Sequence, residues 1–461
     1  MAACGKDFTV AVDEHGEVWY FGQRGASLGQ RGAPLGHGDD ELQPARVGGH
    51  EQFGALVVLV ATADLHCAAV AADGSLHTWG DAGFGQLGHG DLTVRTRPER
   101  LGTELFGGSR AVHVACGKRH TIIVTAAGRV LTCGKGRNGR LGHGDVSDRW
   151  TLTHVEANFG GAQIVYVTAG RAHTAVVGAD GSAWTWGKGV HGGLGHSDDQ
   201  DRLVPTKLAL ASVVMVAGGD SYTAAVADDG SLFTWGYGAL GQLGLGDKNS
   251  RWTPVKVDAE TFGNSPVLTV ACGYYHTLAV TEDGATYSFG DGEDDKLGHN
   301  DHNTRLVPTR IDMQHFGDTK IVSVSASQFH SSAVTTDGAI FTWGFGRGYE
   351  EDDKPDARVP RRVALPGIRV GSCHGLRPEF ALAFAMGTHL RLGAAGPRRQ
   401  SRRQQGQVPA VTDGCVYADM PTELVRRVVD ACVSLPEGTS GELEGVVRLL
   451  GGDISKLRIS T

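Results

Sequence analysis

The stretch "ACGKRHTIIVTAAGRVLTCGKGRNGRLGHGD" (residues 115–145) carries two short β-rich runs, His120–Val124 and Val130–Gly134, on either side of a turn at Ala127-Gly128. A glycine-rich loop follows and closes on Asp145. The second run ends in glycine, and the same aromatic-rich ending recurs as "VWYFG", "LHTWG", "AWTWG", "LFTWG", "TYSFG" and "IFTWG". These end at Gly22, Gly80, Gly187, Gly236, Gly290 and Gly344, with Gly134 in sequence between the second and third, so steps of 49 to 58 residues separate seven copies. Self-similarity at that period points to a solenoid or a propeller.

Each unit reads as four strands. "HVAC" (113–116) precedes "HTIIV"; a hairpin turn leads to the aromatic-glycine strand; a glycine-rich loop leads to a fourth strand such as Pro254-Val255-Lys256-Val257. The hairpin turn is Asp-Gly in five units, at Asp73, Asp180, Asp229, Asp283 and Asp337, and that dipeptide is expected to supply the positive φ values of a tight turn. Proline in the fourth strand implies a strand start or an outer edge, where a missing N–H costs little. Four-stranded antiparallel units repeated around an axis predict an all-β, seven-bladed β-propeller whose blades are stabilised by their neighbours. Half-units at both ends, "CGKDFTVAV" and residues 379–393, lead us to expect that one terminus completes the blade of the other.

"CGYYHTLAVTEDGATYSFG" and the stretch quoted above resemble repeats of the regulator of chromosome condensation family. The resemblance runs from residue 2 to about residue 393 and implies the same propeller. The seventh unit departs from it, with "FGRGYEEDDKPDARVP" in place of a Gly-Gln-Leu-Gly loop.

Composition fits a protein with a core. Of 461 residues, 40% are hydrophobic and 20% charged, and the 69 glycines follow no collagen period. A formal charge of −8 does not favour nucleic acid as partner. The eight cysteines form no C-x-x-C pair, and Cys4, Cys116, Cys272 and Cys373 share one repeat position, which suits small buried thiols. No apolar run is long enough for a membrane helix. The expectation is a monomer in the cytoplasm, with the nucleus as the alternative, and no membrane partner.

Several motifs imitate chemistry. Gly134-x-Gly136-x-x-Gly139 and its counterparts from Gly187 and Gly236 match a dinucleotide fingerprint, but "LGHGD" or "LGLGD" follows where a helix must start. His66, His120, His173, His276 and His330 share a repeat position that elsewhere holds Phe8, Tyr222 and Phe380; phenylalanine has no ring nitrogen, so a flat side chain is the shared requirement. The loop histidines His89, His143, His196 and His299 are replaced by Leu245 in the fifth unit and are read as structural too. The pairs Asp91/Arg95, Asp145/Arg149, Asp198/Arg202, Asp247/Arg251 and Asp301/Arg305 are read as loop staples. No catalytic, cofactor-binding or metal-binding residues are nominated.

A binding site must break the repeat. The sixth loop carries Asp291, Glu293, Asp294 and Asp295, and the seventh Tyr349, Glu350, Glu351, Asp352 and Asp353. Adjacent loops opening on one face would form an acidic patch able to steer a basic protein partner. Beyond the propeller (1–393), residues 394–417 read as a basic polar linker with Arg398, Arg399, Arg402 and Arg403. Residues 418–461 read as a short C-terminal helical hairpin, with Leu424, Val425, Val428 and Val429 on one helix face and Leu443, Val446, Val447 and Leu450 on the other.

The function expected is a non-enzymatic protein–protein interaction scaffold without cofactors. The resemblance implies two alternatives: guanine-nucleotide exchange on a Ran-like small GTPase, and a substrate-recruiting component of a ubiquitin ligase. It also brings in ultraviolet sensing, whose repeats carry tryptophan after Cys-Gly; Lys118 and Tyr274 stand there in this chain.

Overall fold

Seven four-stranded antiparallel sheets account for all 28 strands of the computed structural model, which describes residues 1–22, 44–345 and 358–363. Blade 3 shows the plan: Ala111–Gly117 lies innermost, then His120–Thr125, Val130–Gly134 and the outer Arg149–His154. Every sheet has its four strands in sequence order, from Ala2–Cys4 at the start of blade 1 to Arg361–Arg362 at the edge of blade 7. Proline stands in the outer strands of blades 2, 4, 5 and 6 (Pro98, Pro205, Pro254, Pro308), as an edge position allows. Among the described residues no helix is long and apolar enough to cross a membrane.

Closure differs from the expectation. Among the described residues blade 1 takes all four strands from the N-terminal region (Ala2–Cys4, Phe8–Val12, Val18–Gly22 and Ala45–Gly48), blade 7 is likewise continuous, and neither sheet takes a strand from the other terminus. The seam is sealed by side chains. The Cys4 N–H donates to Ser325 Oγ at 3.0 Å, Cys4 Sγ donates to Ser332 Oγ at 3.1 Å, and Ala11 and Phe21 pack in one cluster with Val334 and Ile340. The half-unit at 379–393 lies outside the described residues, as do the linker and hairpin of 394–461.

The hairpins also refine the reading. Gly74 has φ +80° and donates its N–H to the Ala71 carbonyl, while the Ala71 N–H donates to Ser75. This is a three-residue turn in which glycine alone takes the left-handed conformation; aspartate instead accepts the N–H of the residue after glycine, as Asp73 does from Ser75 at 2.9 Å.

Aromatic side chains join the blades. Trp79, Trp186, Trp235 and Trp343, each from an aromatic-glycine strand, are completely buried. At about 25 cal/mol per Å² of apolar surface, each such burial stabilises the ring by roughly 4 kcal/mol. The indole of Trp186 in blade 4 lies on Gly142 of the blade 3 loop, where a Cβ would come within 2.8 Å of its nitrogen, and that nitrogen donates to the Arg140 carbonyl at 3.0 Å. The glycine-rich loop therefore answers a packing demand from the next blade.

Candidate interaction face

Residue pairing fixes which loops share a face. His66 at the start of the second strand lies opposite Gly80 at the end of the third. The link between first and second strands and the glycine-rich loop between third and fourth strands consequently open on the same side of the ring. On that side a funnel enters the axis, lined by Cys4, Lys6, Asp64, Lys118, Arg171 and Tyr274, among others.

Most repeating polar residues on this side are consumed internally. The Nε2 atoms of His66, His120, His173 and His276 lie 2.8–3.2 Å from the hydroxyls of Thr121, Thr174, Thr223 and Ser331, each on the following blade. Those hydroxyls donate to carbonyls of the preceding blade's loop, at Gln86, Arg140, Gly193 and Lys296. A hydroxyl has one proton, so the imidazole must be the donor, and the neutral Nε2–H tautomer follows. The Nδ1 atoms of His66, His120 and His276 are buried without a hydrogen-bond partner, as a lone pair tolerates and a second N–H does not. Burial holds His66 and His173 down at a pKa of about 4 and His120 and His276 well below the usual histidine value. Tyr222 plays the same part through a 3.0 Å contact with Thr277, and Phe8 faces a blade that carries Cys67 where the others carry a hydroxyl.

The loop histidines are held within their own blade: His89, His143, His196 and His299 contact Thr78, Thr132, Thr185 and Ser288 at 2.8–3.0 Å. The aspartate–arginine staples form as read. Asp145, for example, pairs with Arg149 at 2.6 Å and accepts the Ser147 N–H at 2.8 Å, and these bonds hold its carboxyl below the ordinary carboxylate range. The dinucleotide-like loops continue into three-residue 3-10 turns at Arg137–Gly139 and Val190–Gly192, which offer no helix N-terminus to a pyrophosphate. Among the described residues no three His, Cys, Asp or Glu side chains are grouped as a metal site. Cys4, Cys67, Cys116, Cys133 and Cys272 are free thiols, with burial pushing Cys116 and Cys272 up to about 12.

The acidic residues of blade 6 have unequal fates. Asp291 is buried and pairs at 2.6 Å with Lys296, itself only 2% exposed; Asp294 sits 3.5 Å from the same ammonium. Asp295 contacts His302 at 3.1 Å and Arg358 at 3.6 Å. Glu293 is left exposed to solvent. Blade 2 builds the same internal bond without a charge pair, through Gln86 and Asp81 at 2.8 Å. Tyr349, Glu350, Glu351, Asp352 and Asp353 lie outside the described residues.

Two features escaped the sequence reading. Across the funnel, the Tyr274 hydroxyl of blade 6 donates to Asp64 of blade 2 at 2.6 Å, and Asp64 pairs with Lys118 of blade 3 at 2.9 Å. Burial, followed by the Asp64 charge, raises the Tyr274 pKa. Arg171 of blade 4 pairs with Asp220 at 2.7 Å and lies over the Tyr274 ring. The positions said above to lack tryptophan are thus occupied by a polar lock. Beside it, Arg119 and Lys135 of blade 3 lie 4.5 and 4.2 Å from the ring centre of Phe84 in blade 2. Lining up the repeats carries a signal for this second feature: where blades 2 and 5 have Gln86 and Gln242, blade 3 has Arg140.

Comparison with known proteins agrees with this architecture. The regulator of chromosome condensation (RCC1) repeat matches residues 73–124, 127–177, 180–226, 229–280 and 283–334. The ultraviolet-B receptor UVR8 of Arabidopsis thaliana is 35% identical over 371 residues, covering 78% of this chain and 72% of the receptor. The human E3 ubiquitin-protein ligase HERC2 is 36% identical over 355 residues, which are 76% of this chain but 6% of the ligase. Among solved structures, Prp20p of Saccharomyces cerevisiae, characterised with its binding to Gsp1p and histones, aligns with a TM-score of 0.63 at 21% identity, covering 79% of this chain and 88% of Prp20p. Human WBSCR16 aligns with a TM-score of 0.63 at 24% identity, over 70% and 85% of the two chains.

Proposed function

The chain belongs to the family of RCC1-repeat proteins, and from that premise we propose that it is a non-enzymatic protein-interaction scaffold of the cytoplasm or nucleus. One observation supports this reading above others. The polar residues that repeat from blade to blade are engaged within the ring, whereas a set of aromatic and charged residues left open on the funnel face does not repeat. Phe345 is 52% exposed, Arg137 and Glu293 are exposed, and Phe84, Tyr237, Tyr275 and Phe329 are half-buried around the same opening. Aromatic and arginine side chains of this kind are what protein interfaces concentrate.

Affinity purification of the tagged full chain followed by mass spectrometry tests the reading. A reproducible partner set that is lost when the open aromatic residues of the funnel face, such as Phe345, Tyr237 and Tyr275, are substituted is the expected result; a partner set indifferent to those aromatic substitutions overturns it. Two alternatives have their own outcomes. Acceleration of nucleotide release from a Ran-like GTPase would replace the scaffold by an exchange factor. Copurification of ubiquitin-ligase subunits, lost on deleting residues 418–461, would make the chain a recruiter for a ligase.

A further inference from the structure

Several cations on the described surface have carboxylate partners: the five loop arginines have their aspartates, Lys118 has Asp64, and Arg171 has Asp220. Three neighbouring cations of blade 3 have none. Arg119, Lys135 and Arg137 have no carboxylate within ion-pair distance among the described residues, and all three emerge on the funnel face. Phe84 holds the first two. The charged groups themselves lie against the ring, which keeps two long side chains in place at reduced entropic cost.

A fourth cation lies beneath them. Arg140 is only 6% exposed, and among the described residues its guanidinium donates to the Arg137 carbonyl at 2.9 Å, the Arg171 carbonyl at 3.3 Å and Asn138 Oδ1 at 3.4 Å. Asp148, whose field reaches it, accepts the Gly136 N–H at 2.8 Å. Burial and the neighbouring Arg119 and Arg137 bring the Arg140 pKa down to about 10, and burial with Arg119 lowers that of Lys135. The mutual repulsion of these groups is what an incoming anion would relieve.

We propose that Arg119, Lys135 and Arg137, backed by Arg140 and floored by Phe84, form a docking site for a short acidic peptide segment of a partner protein. The proposal rests on the scaffold reading and gives it a partner chemistry. Glutamate or aspartate side chains would meet the three open cations, and an apolar residue among them would lie on Phe84. The arc is short and flanked on the same face by Asp64, Asp81 and Asp220, within a chain of net charge −8. That setting repels an extended polyanion such as nucleic acid, which needs many consecutive cations.

Fluorescence anisotropy on the full chain tests this with three labelled probes: a short glutamate-rich peptide containing one leucine, a lysine-rich peptide of equal length, and a single-stranded oligonucleotide. The acidic peptide should bind, weaken as salt rises, and lose at least about tenfold in affinity in the triple variant R119E/K135E/R137E. Should that variant unfold, R119Q/K135Q/R137Q removes the charges at nearly constant side-chain length and should lose at least about fivefold. Unchanged peptide binding in a folded triple variant, or oligonucleotide binding as tight as that of the peptide, overturns the proposal. Purifying partners on the wild-type chain and the glutamine triple separates the two readings. Identical partner sets leave the scaffold standing and sink the acidic-segment site; charge-dependent peptide binding with no partners recovered does the reverse.

Discussion

The hydroxyl of Tyr274 in blade 6 hydrogen-bonds Asp64 in blade 2 at 2.6 Å, joining residues 210 positions apart across the mouth of the axial funnel. Asp64 is only 9% exposed and also holds Lys118, so it is the hub through which blades 2, 3 and 6 are coupled on that face.

Tyr274→Phe removes one donor from a carboxylate that keeps its lysine. Hydrogen bonds to charged groups contribute about 1.5–3 kcal/mol, so a loss of that order is expected in urea-unfolding free energy. A double-mutant cycle with Asp64→Asn should show non-additivity. Strict additivity would mean that the bond contributes nothing in solution.

The histidine belt makes an asymmetric prediction. His120→Phe leaves the Thr174 hydroxyl donating to the Arg140 carbonyl at 2.9 Å, and phenylalanine already fills this repeat position at Phe8. Thr174→Val instead strands the buried imidazole N–H, while the Arg140 carbonyl keeps the Trp186 indole N–H. The second change should cost about 1–3 kcal/mol more than the first, because an unmade buried bond costs its full desolvation. Thermal melts of the two variants decide it; equal losses would contradict the assigned tautomer.

Stability should fall on mild acidification. His66 and His173 are held at about 4 in the folded ring, against about 6.5 when unfolded. Between those values the unfolded chain binds more protons, so their contribution is complete above about pH 6.5 and is lost as pH falls towards 4. The stapled aspartates, whose carboxyls are also held low, add a further loss below about pH 4. Denaturation midpoints measured from pH 7.5 downward should decrease through this window; a flat profile would count against neutral buried imidazoles.

Blade 6 contains its own control. Lys296→Met leaves Asp291 buried and unpaired, and a loss of about 3–5 kcal/mol is expected. Lys296→Gln recreates the Asp81–Gln86 arrangement of blade 2, where the amide donates at 2.8 Å, and should cost clearly less. Chemical denaturation of both variants tests the comparison, and a glutamine variant as unstable as the methionine one would refute it.

The sequence was legible where the constraint is local and repeated. Seven copies of a glycine-terminated aromatic strand specify the blades, and substitutions within the repeat, such as Phe8, Tyr222 and Leu245, already favour a structural reading of the histidines over a metal one. The loop pairs at four-residue spacing were equally readable, because both partners sit on one turn. What the chain order alone leaves open is which distant side chains meet. Lys296 takes Asp291 out of the acidic patch that composition suggests. Tyr274 reaches Asp64, and Arg119 reaches Phe84, only because ring closure and inter-blade packing bring separate repeats within a few ångströms. Periodicity dictates the backbone of each blade; the charge pattern on its face depends on neighbours that the third dimension supplies.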